Sequence, residues 1–259
     1  MSRYIRQTCL AEFGIEGQNR LKEASVVVVG AGGIGCSALQ HLAAAGLGTI
    51  GIVDGDVVEE SNLQRQTLFG ASTLGENKAI AAAAYINNLN PHVNVEVHSY
   101  QLTSENASSI ISRYDFVIDC TDDFDTRYLI DERCEALKKA WIYGAVHRYE
   151  GQVAIFNHHG SPTYLQLFPK RSIEKIPDCA GSGVLGVLPG LAGVLQATEC
   201  IKLITGIGEP LVGQLLVFNV LTMQFVVFPL PLKHLLLARF CCGWLPSSHS
   251  YLLLPSLPP

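Results

Sequence analysis

Four glycines lie close together in the stretch GAGGIG, and an aspartate follows them at about the twenty-residue spacing of nucleotide-binding motifs. The glycines are Gly30, Gly32, Gly33 and Gly35, and the aspartate is Asp54. Glycines in this pattern allow a tight turn and let backbone N–H groups approach a phosphate closely. The carboxylate of Asp54 is suited to accept hydrogen bonds from ribose hydroxyls. These residues predict an adenine-nucleotide site. The alternative is a turn that only packs a helix on a sheet, and the glycines alone would favour NAD.

Three side chains that could contact phosphate follow Asp54 in the sequence. Asn62 and Arg65 stand in a polar loop, and the forked guanidinium of arginine suits a phosphate group. Lys78 stands in the first turn of an alanine-rich predicted helix, where its charge opposes the helix dipole. A phosphate nearby would explain that position, and the alternative is a surface lysine.

Several carboxylates follow another apolar run, DFVID. They are Asp119, Asp122, Asp123 and Asp125. Clustered carboxylates repel one another unless a cation binds, and Mg²⁺ with its phosphates suits oxygen ligands of this kind. The alternative is helix capping by Thr121 or Asp122 at the start of the next helix. Both interpretations can hold, with different residues.

Two further residues have a chemical and a structural interpretation. Arg6 lies three residues after Arg3 in a predicted short helix, 3–10, and either faces solvent or reaches an anion in a neighbouring subunit. Cys179 lies in a basic and then glycine-rich segment, 169–190, that is predicted to be a mobile loop. A cysteine in such a loop is an exposed, reactive thiol, whereas most cysteines are small buried hydrophobes.

The elements around these residues predict an α/β fold. Strands are predicted at 26–29, 50–53, 93–97, 115–119, 141–146, 151–157, 215–220 and 224–228, and helices at 34–45, 74–89, after residue 122 and at about 187–204. Strands alternating with helices predict a Rossmann-like open sheet, parallel in its N-terminal part, with helices on both faces. The last strands lack helical crossovers and predict an antiparallel extension. We expect one nucleotide-binding domain, 1–228, and an irregular tail, 229–259.

Composition narrows the class of protein. Charged residues make up 16% and hydrophobic residues 48% of the 259 residues, which is typical of a chain that hides apolar surface in an oligomer. A net charge of −5 argues against nucleic acid as a partner. Arg3 and Arg6 are not followed by the apolar segment of a secretory signal, and no run is expected to span a membrane. Eight scattered cysteines predict a reducing, cytoplasmic location.

The stretches RYIRQ, GAGGIG, IVDGD, SNLQRQ, DCTDD and CAGSGVLG, together with Lys78, resemble the ThiF/MoeB/HesA adenylyltransferases, bacterial relatives of ubiquitin-activating enzymes. The resemblance runs from about Arg3 to Phe228, and NAD dehydrogenases lack the pair SNLQRQ and DCTD. It implies ATP and Mg²⁺ rather than NAD, and a homodimer with a continuous sheet. The implied substrate is a small ubiquitin-like sulfur carrier of thiamine or molybdopterin biosynthesis. The carboxylate of its Gly-Gly terminus is adenylated with release of pyrophosphate.

The resemblance also implies a role for each matching residue. Asp54 matches the ribose ligand, and Asn62, Arg65 and Lys78 match phosphate-binding groups. Asp122 matches the Mg²⁺ aspartate, and Arg6 matches an arginine that is donated to the ATP of the partner subunit. Cys179 matches a cysteine that in some members links covalently to the carrier. No rhodanese domain is recognisable in the chain, so a separate protein is expected to donate sulfur.

The chain departs from the family pattern in two places. Members carry two Cys-x-x-Cys pairs that bind zinc, but here Thr163 and Gln166 occupy the first pair and Cys241 and Cys242 are adjacent in the second. A structural zinc site needs four ligands that converge on one point, and this chain cannot assemble the complete set. We therefore predict that the protein binds no structural zinc. Apolar side chains must then hold the antiparallel end of the sheet; the candidates are Val212, Leu215, Phe218, Phe225 and Phe228. The family's Asp-Asn after DCT is here Asp-Asp, with Asp123 in the second position. An extra carboxylate is tolerable beside a metal, although its charge acts against ATP binding.

Two rival functions remain open from the sequence. A non-catalytic relative that binds the carrier as a scaffold is favoured by the lost zinc pairs, and Arg65, Lys78 and Asp122 argue against it. An NAD-dependent dehydrogenase on the same fold would need a His or Tyr–Lys acid–base group beside the nicotinamide.

Overall fold

The computed structural model describes residues 2–170 and 183–230. In this part of the chain the strands form one sheet in the order β3-β2-β1-β4-β5-β6-β7-β8. The strands are β1 (Ser25–Val29), β2 (Thr49–Val53), β3 (Asn94–His98), β4 (Phe116–Asp119), β5 (Trp141–His147), β6 (Glu150–Phe156), β7 (Gln214–Asn219) and β8 (Gln224–Pro229). The helices are α1 (Ile5–Thr8), α2 (Gly14–Glu23), α3 (Gly33–Ala45), α4 (Lys78–Leu89), α5 (Ala107–Ile111), α6 (Phe124–Leu137), α7 (Tyr164–Leu167) and α8 (Val187–Thr205).

The sheet is parallel in its first part and antiparallel in its second. Strand β1 pairs in parallel with β2 and β4, β2 with β3, and β4 with β5. The pairs β5–β6, β6–β7 and β7–β8 are antiparallel. The strand order reverses its direction at β1, which opens a crevice at the carboxyl ends of β1 and β4. The predicted Rossmann-like sheet with an antiparallel C-terminal extension is confirmed.

Helices cover both faces of the sheet, as predicted. Val26 and Val28 of β1 pack in a cluster with α3, α4 and α8, whereas Val27 and Val29 pack in a second cluster with α5, α6 and α7. All four valines are at most 2% exposed, because the strand is covered on both sides. A continuous β-branched run is typical of such a strand.

Helix α8 corrects the expectation that no run could span a membrane. Among the described residues, this 19-residue helix is long and apolar enough to cross a membrane, judged by length and composition alone, and its mean hydropathy is 1.4. It packs inside the domain, however, where Leu188, Ala192 and Cys200 are buried against α3 and the sheet. Its Glu199 is also buried and pairs with Lys202 at 2.6 Å. Packing in the core thus accounts for its apolar composition.

Several helices differ from the sequence expectation. The stretch FGIEGQNRL is not among the elements predicted from the sequence, but it forms most of α2, in which Gly17 and Leu21 are buried. Because so few positions of α2 are apolar and buried, its sequence lacks the regular spacing of apolar residues from which a helix is predicted. Helix α4 was expected from Leu74 and begins at Lys78, because the Asn77 side chain caps it by accepting hydrogen bonds from two backbone N–H groups. Helices α5 and α7 were not predicted, since they have only 5 and 4 residues.

The expected zinc positions Thr163 and Gln166 cap helix α7. Thr163 Oγ1 accepts a hydrogen bond from the Gln166 N–H at 3.2 Å, and Gln166 Oε1 accepts one from the Thr163 N–H at 2.9 Å. This reciprocal pair is a capping box. The buried carboxylate of Asp131 accepts two further N–H groups of α7. The absence of zinc stays a prediction, because the second cysteine pair lies outside the described residues.

Apolar contacts hold part of the antiparallel end. Leu215 and Phe218 are buried, and Val212 packs partly buried against the core. Phe225 stacks on Phe218 with ring centroids 5.4 Å apart but remains 46% exposed, and Phe228 is half-buried. The boundary at residue 228 stays a prediction, since β8 continues to Pro229 and residues 231–259 lie outside the described part.

Candidate functional site

A cavity of about 1120 Å³ opens at the carboxyl ends of β1, β2 and β4. The predicted nucleotide-binding residues converge on it, because parallel strands all end at this edge of the sheet. Its lining includes Gly30, Gly32, Gly33, Asp54, Asp56, Asn62, Arg65, Gln66, Lys78, Gln101, Asp122 and Arg127.

The glycine loop has no room for larger residues at two positions. Gly30 has φ +93°, and a Cβ atom there would lie 2.9 Å from the carbonyl oxygen of Cys120. A Cβ atom on Gly35 would collide with the carbonyl oxygen of Gly30. Gly35 therefore lies behind the cavity and packs α3 against the loop, whereas Gly32 and Gly33 face the cavity at the N-terminus of α3. Free N–H groups at a helix N-terminus suit an anion.

Asp54 lies at the end of β2, where its carboxylate fixes the glycine loop. Its Oδ2 accepts a hydrogen bond from the Ala31 N–H at 2.7 Å, and its Oδ1 accepts one from the Asp56 N–H at 2.9 Å. Burial raises the pKa of Asp54, while these two hydrogen bonds and the charge of Lys78 act to lower it. Each carboxylate oxygen can accept more than one hydrogen bond, so Asp54 retains capacity for a ribose hydroxyl.

The loop after β2 directs three side chains to the cavity. The Arg65 and Gln66 N–H groups both donate to the Asn62 carbonyl oxygen, which folds the loop into a turn. The aliphatic part of Arg65 lies beside Gly33, and its guanidinium donates to the Ser61 carbonyl oxygen at 3.1 Å. Asn62 is 8% exposed, and its Oδ1 has no hydrogen-bond partner among the described residues.

Lys78 is buried, which contradicts the surface-lysine alternative. It is 8% exposed, and its Nζ lies 3.0 Å from Asp56 Oδ2. The other oxygen of Asp56 accepts a hydrogen bond from Gln101 Nε2 at 2.8 Å. In this structure, therefore, the neighbouring carboxylate balances the lysine at the helix N-terminus, and both groups line the cavity.

A buried ion pair supports the acidic loop after β4. Asp119 is fully buried, and its Oδ2 lies 3.3 Å from Arg127 Nε, although that N–H is not aimed at the oxygen. Asp119 Oδ1 accepts hydrogen bonds from Thr121 N and Oγ1, and Arg127 Nη2 donates to the Thr121 carbonyl oxygen. Burial raises the pKa of Asp119, and the Arg127 charge opposes that rise. Asp119 thus belongs to the interior rather than to a cation site at the edge.

Gln196 of α8 ties the same loop to the helix layer. It is 0% exposed, and its Nε2 donates to the carbonyl oxygens of Asp119, at 2.7 Å, and Ile142, at 3.2 Å. Its Oε1 accepts the Cys120 S–H at 3.3 Å. A Cβ atom on Gly144 would come 2.5 Å from this amide, so the glycine makes room for the bridge.

The adjacent carboxylates Asp122 and Asp123 have different surroundings. Asp123 caps α6, where it accepts hydrogen bonds from Thr126 N at 2.7 Å and Thr126 Oγ1 at 2.6 Å. The expectation that Thr121 or Asp122 is the cap is therefore wrong. Asp122 is exposed to the cavity, and the described part of the chain gives its side chain no partner. Asp and Asn cap helices about equally well, which explains how Asp123 can stand where the family has asparagine.

The donor set fits Mg²⁺ held together with phosphates. Among the described residues, no group of three or more His, Cys, Asp or Glu side chains could hold a metal alone. Mg²⁺ is usually bound by one or two carboxylates together with substrate phosphates, keeping several waters. The Asp122 carboxylate, which has no partner in the described residues and lies on the wall of this cavity, would supply such a ligand if Mg²⁺ bound here with phosphates.

Arg6 lies away from the cavity of its own chain. Its neighbours Arg3 and Gln7 donate hydrogen bonds to the carbonyl oxygens of Leu89 and Ala45, which lie at the C-terminal ends of α4 and α3. The cavity is at the other end of α3, about 18 Å away by the rise of a 13-residue helix. Arg6 is exposed and does not line this cavity.

Cys179 lies outside the described residues. The chain returns at Gly183 and Val184, which line the cavity, and Val184 bridges to Arg148 beyond the end of β5. Cys120 also lines the cavity, but burial raises the pKa of its thiol well above the usual value. A protonated thiol is a poor nucleophile, so Cys120 is not suited to a covalent step.

Sequence reasoning gave no role to Asp56, Gln66, Arg127 or Gln196. A signal existed for Gln66, which stands four residues after Asn62, a spacing that brings side chains together on one side of a helical turn. No local signal existed for Gln196, because its partners are remote backbone carbonyls.

Comparisons with known proteins show which proteins the chain is similar to. A sequence profile described as the ThiF family matches residues 4–236. The chain is 48% identical over 231 residues to a sulfur carrier protein adenylyltransferase of Thermus thermophilus, covering 87% of this chain and 85% of that protein. It is 45% identical to a probable molybdopterin-synthase adenylyltransferase of Porphyra purpurea, covering 88% of this chain and 60% of the relative. It is 46% identical to an adenylyltransferase and sulfurtransferase of Culex quinquefasciatus, and the match covers 85% of this chain and 50% of that relative.

Solved structures share the fold. A crystal structure of Escherichia coli MccB superposes with a TM-score of 0.78 at 21% identity, covering 89% of this chain and 73% of that one. The crystal structure of PaaA superposes with a TM-score of 0.71 at 25% identity, covering 88% and 73%. At this identity the MccB likeness shows the fold alone.

Proposed function

The chain belongs to the ThiF family, and from that premise we propose that it adenylates the C-terminal carboxylate of a small ubiquitin-like sulfur-carrier protein with ATP. The observation that carries the proposal is the cavity in which Arg65, Lys78 and the unpaired Asp122 carboxylate meet the glycine loop. The adenylyltransferase relatives support it, the first of them over 85% of its length.

The reaction needs positioning and charge neutralisation more than a covalent residue. A carboxylate oxygen of the carrier attacks the α-phosphorus of ATP, the bond from that phosphorus to the bridging oxygen breaks, and pyrophosphate leaves. The product is an acyl-adenylate, and no proton has to move. In the described residues, Arg65 and Lys78 bring positive charge to the cavity, and the N-terminus of α3 adds N–H donors.

Each remaining group has a part in binding. Asp54 accepts from a ribose hydroxyl while it holds the glycine loop, and Asn62 contacts the phosphate chain. Asp122 would hold Mg²⁺, which supplies charge neutralisation at the phosphates when it is bound. Lys78 can leave Asp56 and turn to the phosphates as they enter. The Asp56 side chain is 57% exposed, so water can solvate its carboxylate after the ion pair separates.

Val146 and His147 of β5 line the cavity together with Gly183 and Val184. The Leu185 N–H donates to the Arg148 carbonyl oxygen at 3.1 Å, and Val184 bridges to Arg148, so the β5–β6 turn and this segment form one continuous wall. The carrier tail approaches the glycine loop along this wall. Cys179, which precedes this segment in sequence, would link covalently to the carrier in a later step, in which its thiolate attacks the acyl carbon of the acyl-adenylate, the acyl–phosphate bond breaks and AMP leaves. A separate protein would donate the sulfur.

A homodimer would complete the site. The segment that carries Arg6 contacts the C-terminal end of α3, and the glycine loop lies about 18 Å away at the other end of that helix, so the family role of Arg6 requires a partner subunit. We place the protein in the cytoplasm, which is supported by five free thiols among the described cysteines. The carrier belongs to thiamine or molybdopterin biosynthesis.

The test is ATP–pyrophosphate exchange with purified protein, Mg²⁺ and each candidate Gly-Gly carrier in turn. Exchange should depend on one carrier and should disappear when the two terminal glycines are removed. A protein that binds a carrier but catalyses no exchange would instead be a scaffold, and NAD binding without exchange would favour a dehydrogenase.

A further inference from the structure

Two buried glutamines near the cavity differ in their hydrogen bonding. Gln196 is 0% exposed, and both ends of its amide are hydrogen-bonded. Gln66 is 3% exposed; within residues 2–170 and 183–230 its Oε1 is fully buried without a hydrogen-bond partner, and its Nε2, the donor atom that lies toward Gly32, makes no hydrogen bond either. Most buried polar groups in folded proteins are paired, and an unpaired one is destabilising. An unpaired amide on a cavity wall is therefore a candidate for contact with a ligand.

The position of Gln66 indicates which ligand it meets. A Cβ atom built on Gly32 would have one neighbouring atom within 4 Å, outside Gly32 and its chain neighbours, and that atom is Gln66 Nε2, at 3.8 Å. Gly32 precedes the 13-residue helix α3 and has no side chain to cap it. The free N–H groups of the helix and the Gln66 amide thus face the same part of the cavity. N–H donors from two elements at one point suit an anion.

We propose that the Gln66 side-chain amide binds the phosphate chain of the nucleotide where that chain passes Gly32. The inference rests on the proposed function, since it takes ATP as the ligand. The amide nitrogen donates to a phosphate oxygen and adds no charge, whereas Arg65 and Lys78 supply charge. Gln66 therefore orients the phosphate chain and is a binding residue rather than a chemical catalyst.

The proposal has a signature that a structural glutamine lacks. Gln66→Met keeps the shape and removes an amide that is unpaired in the free protein, so its melting temperature without ligand should equal or exceed that of the wild type. Affinity for ATP should fall about tenfold or more, because a hydrogen bond to a charged group is lost. Gln196→Met is the matched control, and it should lower the melting temperature because it removes a buried amide that makes hydrogen bonds with the Asp119 and Ile142 carbonyls and with the Cys120 thiol.

The experiment measures melting temperature without ligand, and then binding of ATP and of adenosine in the presence of EDTA. For Gln66→Met we expect weaker ATP binding, unchanged adenosine binding and no loss of stability. Gln66→Glu is the second variant, since it keeps the shape but places a carboxylate against the phosphates. Its ATP affinity should fall further than that of Gln66→Met.

Several results would overturn the inference. Wild-type ATP affinity in Gln66→Met would remove the contact, and an equal loss for adenosine would move it from the phosphates to the nucleoside. A fall in melting temperature like that of Gln196→Met would give Gln66 a structural role. A wild-type protein that binds no ATP would overturn the proposed function as well, whereas failure of the Gln66 variants alone would leave that function intact.

Discussion

Asp122 and Asp123 are adjacent carboxylates, and we predict that their substitutions separate activity from stability. Asp122→Asn removes a charge from the cavity wall without breaking a hydrogen bond in the described structure, so stability should be unchanged. Carrier-dependent ATP–pyrophosphate exchange should fall at least about a hundredfold, because charge neutralisation at the phosphates is worth several kcal/mol.

Asp123→Ala should have the opposite effect. It removes the cap of α6, with its two hydrogen bonds from Thr126. Losing such a cap destabilises a protein by about 1 kcal/mol, which lowers the melting temperature of a domain of this size by about 2–4 °C. Exchange should persist at temperatures where the variant is folded. Asp123→Asn is the control, since asparagine caps as well as aspartate.

The pH dependence gives a further check on the cap. Partial burial acts to raise the pKa of Asp123, but the hydrogen bonds from Thr126 outweigh it and hold the pKa below the usual value. The ionised cap therefore stabilises the fold above the unfolded pKa of about 3.9, and this contribution is lost as pH falls through the folded pKa. Asp123→Asn should lack this loss. Full exchange in Asp122→Asn, or abolished exchange in a stable Asp123→Ala, would refute the assignment of the two carboxylates.

Three other predictions concern the dimer, the glycine loop and zinc. Mixing inactive Arg6→Ala with inactive Asp122→Ala should restore part of the exchange activity through heterodimers, and no recovery despite proven subunit exchange would count against a shared site. Gly35→Ala should prevent stable folding in thermal melts, because a Cβ atom there collides with the glycine-loop backbone; a wild-type melting temperature would contradict this packing. Elemental analysis of protein purified without chelator should find no zinc, and one zinc per chain, lost on mutating Cys241 and Cys242, would show the prediction to be wrong.

The positions of strand-end residues were predictable from the sequence. Gly30 and Asp54 each follow a buried apolar strand, and Asp122 comes shortly after another. Parallel strands end at one edge of a sheet, so these residues had to lie near one cavity once the sheet was known. The alternation of strand and helix gave that sheet, and the lack of crossovers gave its antiparallel end.

The pairing of side chains within the site could not be predicted. Whether Asp122 or Asp123 caps α6 depends on where the helix begins, and a shift of one residue exchanges their roles. The burial of Lys78 depends on its contact with Asp56, 22 positions earlier in the chain. Gln196 meets carbonyl groups more than 50 residues away in sequence. These choices are set by tertiary packing, which periodicity does not report.

Intact-mass spectrometry of the carrier tests the central claim most directly. The protein is incubated with ATP, Mg²⁺ and a Gly-Gly-ending sulfur carrier, with inorganic pyrophosphatase present to draw the reaction forward. We predict that the carrier gains the mass of one adenylyl group, and that a carrier without its two terminal glycines gains none. An unmodified carrier, under conditions where the protein is folded and binds both ATP and the carrier, would contradict the account.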